Sequence, residues 1–299
     1  MGIDLETARF LLARRRHGAS FERCATLGRQ HLYLGHNETK GLLREFGMEP
    51  ADFPGLFPKQ YPSFSEPYWE MLGVKKLATF DASNFEGATH VHDMNQPIAE
   101  DLKGAFDVVC DIGTLEHVFN FPVAIRNCME MIKVGGYYFG QSPANNTFGH
   151  GFYQLSPELY YRILSPENGF QMERCVAVEY GARLRRFAVI DPKVARERVT
   201  LTNNASVTLY IWAKKLKATP IFATTPQQSD YSATWSQSAA TGQPKDAAAP
   251  PTTVQRLKWA LLESMPRLAR SLDRLRYSRF NRNFTFANRR SFSPVSKWD

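Results

Sequence analysis

Three aspartates, Asp81, Asp93 and Asp111, each close a short run of strand-forming residues: KKLATF (75–80), THVH (89–92) and FDVVC (106–110). Gly28 closes a fourth run, FERCATL (21–27). In open α/β sheets, ligands bind in the crevice beyond the carboxyl ends of the strands. A carboxylate there accepts hydrogen bonds from ribose hydroxyls or an adenine amino group. One aspartate after one strand is an ordinary turn residue. Three in succession point to a nucleoside-type ligand.

Further along, GHGFYQ (149–154) follows the fifth expected strand, on the face where a second substrate would enter. His150 could serve as a general base, because imidazole takes up a proton near neutral pH. Gly149 and Gly151 equally suit a turn in which His150 packs or caps the helix that Ser156 opens. His117 and Tyr153 are further candidates, and the Glu116–His117 pair suits a structural or ligand-side role as well. Glu86, His90 and His92 raise the question of a metal. Their spacing is not the helical HExxH pattern, although His90 and His92 would share one face of a strand. No metal site is expected from it.

The elements that would position these groups alternate. Residues 4–16 have a helical apolar pattern through Leu5, Ala8, Leu11 and Leu12. A strand follows at 21–28, then a helix at 36–46 with Asn37 as N-cap. Residues 48–68 carry Pro50, Pro54, Pro58, Pro62 and Pro67, which excludes a regular helix or central strand. Strands are expected at 76–80, 89–92, 106–110 and 137–141. A helix over 122–132 is broken by Gly135-Gly136, and another spans 157–164. Strands at 170–180 and 206–214 would pair as an antiparallel edge. The alternation argues for a layered α/β fold with a Rossmann-like sheet.

The chain has 299 residues, 43% of them hydrophobic, enough for one sizeable core with chain to spare. Its net charge of +8 is unevenly placed. Residues 254–299 hold eleven Lys/Arg against three acids, whereas the rest is balanced at 26 against 26. The expected division is an N-terminal helix (1–20), a catalytic-type domain (21–218), a disordered Ala/Thr/Ser/Gln/Pro-rich linker (219–253) and a basic amphipathic tail (254–299). The tail helix carries Leu257, Leu261, Leu268, Leu272 and Leu275 on one side, with Pro266 as a kink. It is expected to dock on a protein partner or an anionic membrane surface rather than on nucleic acid. No run approaches the ~18 apolar residues of a membrane helix. Residues 1–18 show no apolar block with a cleavage site, so no signal peptide is expected. Cys24, Cys110, Cys128 and Cys175 form no CxxC pair and read as reduced core cysteines of a cytoplasmic protein.

The order FDVVCDIGTLEHV (106–118), a helix, then KVGGYYFGQSP (133–143) resembles the second half of a class I S-adenosylmethionine-dependent methyltransferase. More weakly, the resemblance reaches from about residue 21 to 216. It is strongest to a bacterial set with the stretches LGRQ (27–30), FDASNFEGA (80–88), HDMNQP (92–97), GTLEHVFN (113–120) and NNTFGHGFYQLSPEL (145–159). The resemblance implies S-adenosyl-L-methionine as cofactor. It places Gly28 in the loop around the methionine part, Asp81 on the ribose hydroxyls, and Asp93 and Met94 at adenine. Asp111, Ile112 and Gly113 would lie beside the transferred methyl, with Glu116 near adenine or the substrate mouth. His150 and His117 become the catalytic candidates. The implied activity is methyl transfer to an oxygen or nitrogen of a small-molecule or glycan-like acceptor.

Two features depart from that pattern. The first loop, LGRQHLYLG, lacks the usual GxGxG, which leaves room for a methyltransferase-like module that binds without catalysing. The absence of GxGxxG also counts against a nicotinamide oxidoreductase. Asp81 and Asp93 are too close for a helical crossover, since parallel neighbours normally need a dozen or more residues between them. Either the local topology is altered or one aspartate is misplaced.

Overall fold

The computed structural model describes residues 2–59, 61–233, 235, 252–276 and 281–298. Its centre is a nine-stranded sheet. The strands are β1 (Arg23–Leu27), β2 (Lys76–Asp81), β3 (His90–Val91), β4 (Phe106–Ile112), β5 (Ile132–Pro143), β6 (Phe170–Tyr180), β7 (Leu184–Val189), β8 (Ser206–Lys215) and β9 (Phe292–Pro294). Their spatial order is β9-β7-β6-β8-β5-β4-β1-β2-β3. Strands β3, β2, β1, β4 and β5 are mutually parallel. Read as 3-2-1-4-5, they reproduce the order of the doubly wound fold. An antiparallel strand, β8, then stands between β5 and β6, where the all-parallel order would place its sixth strand.

Burial explains the layering. All seven residues of β4 are buried, as a central strand covered on both faces requires. On one face lie α1 (Leu5–Arg16), α2 (His36–Glu45) and α3 (Glu66–Met71), packing Phe10, Leu11, Leu43, Tyr68 and Trp69 against Val108, Cys110, Phe139 and Trp212. On the other lie α4 (Phe121–Met131) and α5 (Pro157–Ile163), packing Ile125, Cys128, Met129 and Tyr160 against Ala25, Val109, Tyr138 and Ile211. All four cysteines are free and buried within these layers.

Several expectations change. The N-cap of α2 is Gly35, not Asn37, because Glu38 reaches back to accept from the Gly35 N–H at 2.9 Å. The Gly135-Gly136 pair does not break a helix. Helix α4 ends at Met131, and β5 runs through the glycines. A Cβ at Gly136 would lie 2.6 Å from the Asp107 carbonyl, so the pair admits close strand approach at a shift in the β4–β5 register. β6 and β8 do pair antiparallel, but they are not the edge. The edge is formed by β7 and β9.

The close spacing of Asp81 and Asp93 is resolved by a reduced third strand. β3 has two residues, and residues 82–89 cross to it without a helix. Reciprocal bonds replace a longer ladder: Thr79 N–H donates to Thr89 Oγ1 and Thr89 N–H to Thr79 Oγ1, both at 2.8 Å.

The largest correction concerns the expected linker and tail. Ile221 is buried in the core, and Ser229 N–H donates to Glu158 Oε1 at 2.7 Å. Residues 234 and 236–251 of the expected linker lie outside the described residues. The basic segment forms two helices, Thr253–Ser264 and Pro266–Arg276, divided at Met265-Pro266 as the proline requires. Residues 281–298 then return to the sheet, supply β9, and bury Phe286, Phe292 and Trp298. No helix is long and apolar enough to cross a membrane among the described residues.

Candidate functional site

The two neighbouring strands β1 and β4 end in glycines with positive φ, Gly28 at 76° and Gly113 at 75°. A side chain would strain both turns. They sit where the chain leaves adjacent parallel strands toward opposite sides, the topological switch point at which open α/β sheets take ligands. Thr114 Oγ1 donates to the Leu27 carbonyl at 2.9 Å and ties the two turns together.

Along the same edge stand the other expected groups. Asp81 ends β2, and its Oδ1 accepts from Ser83 N–H at 3.0 Å. Asp93 lies beyond β3 in an exposed turn, accepting from the backbone and side chain of Asn95. Those two bonds hold its carboxyl below the usual carboxylate range. Met94 beside it is buried. Ile112 is buried under Gly113, whose N–H donates to the Gln141 carbonyl.

Asp111 differs from the other aspartates. It is fully buried, with Oδ1 accepting from the Thr114 and Leu115 amides and Oδ2 from Tyr138 Oη at 3.2 Å. Its carboxylate therefore fastens the turn after β4 to β5 rather than facing the crevice. Burial pushes its pKa up to about 6.

That turn carries Glu116 and His117 in a single 3₁₀ turn, Leu115–His117. Glu116 is buried, and neither carboxylate oxygen has a hydrogen bond among the described residues. Burial, then the nearby Asp111 charge, raises its pKa. The 149–153 loop folds onto it. Phe152 and Tyr153 N–H both donate to the Glu116 carbonyl, at 2.9 and 3.2 Å. Gly151 makes this approach feasible, since a Cβ there would lie 2.9 Å from that carbonyl and 3.1 Å from His117 Nδ1. The closure brings His150 Nε2 to 3.3 Å from Glu116 Oε1, with His117 Nε2 4.0 Å from the same oxygen. The rings lie 5.3 Å apart, and burial, then His150, lowers the His117 pKa. Both histidines remain about half exposed, flanked by Phe119 and Phe152, whose exposed rings meet at 5.9 Å. Tyr153 is turned away, donating to the Phe119 carbonyl at 2.6 Å.

The histidines of the Glu86–His90–His92 group are engaged separately. His90 stacks on Phe80 at 4.6 Å, and His92 Nε2 meets the Gln96 carbonyl at 3.1 Å. Two residues not singled out from the sequence shape the first loop. Arg29 lies over the Phe64 ring at 3.7 Å and donates to Glu66 Oε1 and the Glu86 carbonyl. Gln30 is buried, donating to the Leu27 carbonyl, while its Oε1 has no partner among the described residues. The only sequence signal for either was membership of LGRQ.

No protein-family model matches the chain, and no curated protein matches it. Among solved structures, a putative S-adenosylmethionine-dependent methyltransferase from Listeria monocytogenes matches at 12% identity, over 71% of this chain and 100% of that one, with TM-score 0.39. The trans-methyltransferase CalH in complex with SAH matches at 14% identity, over 70% and 55%, with TM-score 0.38. A branched-chain polyamine synthase from Thermus thermophilus, in complex with N4-aminopropylspermidine and 5'-methylthioadenosine, matches at 12% identity, over 75% and 61%, with TM-score 0.36. The chain spans less than two thirds of the length of the latter two. Likenesses this distant decide nothing about activity, and the fold class rests on the strand order.

Proposed function

We propose that this protein transfers a methyl group from S-adenosyl-L-methionine to an oxygen or nitrogen of a small-molecule or glycan-like acceptor. The observation that carries this reading is the topological switch point, where Gly28 and Gly113 follow adjacent parallel strands and Asp81 and Asp93 stand at the same ends of the next two. The residues fit a nucleoside cofactor. Asp81 Oδ2 accepts no hydrogen bond among the described residues and is available to ribose hydroxyls. The Asp93 side chain and the Met94 backbone N–H would meet adenine. Gly28, Ile112 and Gly113 would border the methionine part, and Asp111 would contribute by holding the last two in place. Glu116, His117 and His150 lie on the acceptor side. When bound, the cofactor supplies an activated methyl on a sulfonium, so the chain's main task is positioning the acceptor and excluding water.

Titration calorimetry with S-adenosylmethionine and S-adenosylhomocysteine tests the reading. Saturable binding of either is expected, and no binding at millimolar concentration would sink it. A second reading, a binding module without turnover, is favoured by one observation: the Gly28 amide is already committed to the Phe80 carbonyl at 2.6 Å. Release of S-adenosylhomocysteine in the presence of an acceptor library would exclude it.

A further inference from the structure

The geometry points to a divalent-cation site of the zinc class formed by Glu116, His117 and His150. This inference deepens the methyl-transfer reading and rests on it for the cation's role, though not for the cation's binding.

One ligand atom from each residue lies within 4.8 Å of the other two. Two ligands bonded at ~2.1 Å in a tetrahedral arrangement stand about 3.4 Å apart. Glu116 Oε1 and His150 Nε2 are at 3.3 Å, and Glu116 Oε1 and His117 Nε2 at 4.0 Å. The first pair therefore needs no movement, and the second closes by rotation of a half-exposed imidazole.

A second observation comes from Glu116 itself. Its side chain is fully buried, yet both oxygens are without a hydrogen bond among the described residues. A carboxylate removed from water is ordinarily paired or bound to a metal. Both imidazoles approach the same oxygen, Oε1, at 3.3 and 4.0 Å. Its placement is also specified by the backbone, because Gly151 alone allows the 149–153 loop to sit on the Glu116 carbonyl.

The donor set selects the ion. Two imidazoles and one carboxylate suit zinc and its first-row neighbours, whereas magnesium and calcium prefer all-oxygen shells. Three protein ligands leave a coordination position open, the mark of catalytic rather than structural zinc sites. Phe119 and Phe152, exposed on the segments that carry the two histidines, would flank an acceptor bound there. An acceptor hydroxyl bound there loses its proton to water more readily, as metal-bound water does. The resulting alkoxide forms the new O–CH3 bond, while the S–CH3 bond breaks and its electron pair stays on sulfur as a neutral thioether. A hydroxyl acceptor is thereby selected over an amine.

The test uses the full chain, freed of metal by a chelator and titrated with Co2+ and, separately, Zn2+. One equivalent of Co2+ should bind with visible absorption bands typical of low coordination number, and Zn2+ should displace it. His117→Ala and His150→Ala, both in exposed positions, should each weaken binding by more than about a hundredfold, since loss of an outer-shell partner alone costs about 10–100-fold. Their melting temperatures without metal should match the parent. Absence of a saturable cobalt spectrum overturns the proposal, as does binding that both substitutions leave intact. Titration with S-adenosylhomocysteine in parallel separates the two readings. Metal binding without cofactor binding defeats methyl transfer alone, and cofactor binding without metal binding defeats the cation site alone.

Discussion

At the scale of single residues, three aspartates that look alike in sequence have different environments. Asp81 keeps one oxygen free at the crevice, whereas Asp111 spends both on the turn that follows it. If Asp81 holds ribose hydroxyls, Asp81→Ala removes charge-assisted hydrogen bonds worth about 1.5–3 kcal/mol each. Cofactor affinity measured by calorimetry should fall at least about tenfold, with the ligand-free melting temperature unchanged. Unchanged affinity would move the ribose elsewhere. Asp111 makes an opposite kind of prediction. Its folded pKa of about 6 exceeds the unfolded value near 3.9, so the folded chain retains the proton longer. Its contribution is intact below pH ~4 and is lost as pH rises through about 6. Asp111→Asn keeps an acceptor for the Thr114 and Leu115 amides but does not titrate. Urea unfolding should show the variant gaining on the parent by about 1–3 kcal/mol between pH 4 and 7. Glu116 keeps its burial in both proteins but loses the Asp111 charge in the variant, so its own upward shift shrinks there and adds to the gain in the same direction. A gap that stays constant with pH would refute the assignment.

Among the elements, the alternation of strands and helices was legible because the periodicity of β1, β2, β4, α4 and β6 is local. What escaped depends on partners distant in sequence. LRRFAV, the strand β7, has two adjacent arginines and no clean alternation, and becomes a strand by folding back on β6. The insertion of β8 between β5 and β6 is a choice of neighbour that no local pattern records. The candidate site divides the same way. Residues at strand ends could be read in order, but the meeting of Glu116 with His150 needs a closure across 34 positions that only the Gly151 contact reveals. The same long-range logic ends α4. Lys215, on β8, is buried and donates Nζ to the Met129 and Ile132 carbonyls at 2.8 and 2.7 Å. A cation at a helix C-terminus meets both the orphan carbonyls and the negative end of the dipole. Burial lowers its pKa, which shows the cost of that placement. Lys215→Met preserves the aliphatic stem and leaves two carbonyls unpaired. It should lower stability by about 1–3 kcal/mol in urea titration, and an unaltered midpoint would mean that the carbonyls find other donors.

For the molecule as a whole, composition misleads about where the folded unit stops. The basic charge and the Pro/Ala/Ser/Thr-rich stretch before it suggest that residues 1–218 stand alone, yet residues 281–298 close the structure on the face of α1. The Trp298 ring packs edge-on against Phe10 at 4.9 Å, and its Nε1 donates to Glu6 Oε2 at 3.1 Å. Its carbonyl accepts from Arg14 Nη2 at 3.0 Å, and Arg186 donates to the same Glu6 oxygen. Removing this segment would open the Phe10–Tyr210 cluster to water and take one hydrogen-bond partner each from the buried Glu6 and Arg14. It would also expose β7 as an unpaired edge, a template for aggregation. Trp298→Ala alone should cost about 3–5 kcal/mol, the usual range for deleting a large buried aromatic side chain. Truncation after Ala218 should cost more and yield poorly soluble protein. The switch-point crevice lies on the far side of β5 from β7 and β9 in the sheet order. Cofactor affinity of Trp298→Ala, measured well below its melting temperature, should therefore remain close to that of the parent. If the truncated chain instead melts like the full one, the C-terminal segment contributes nothing to the core, and the packing of Trp298 is incidental.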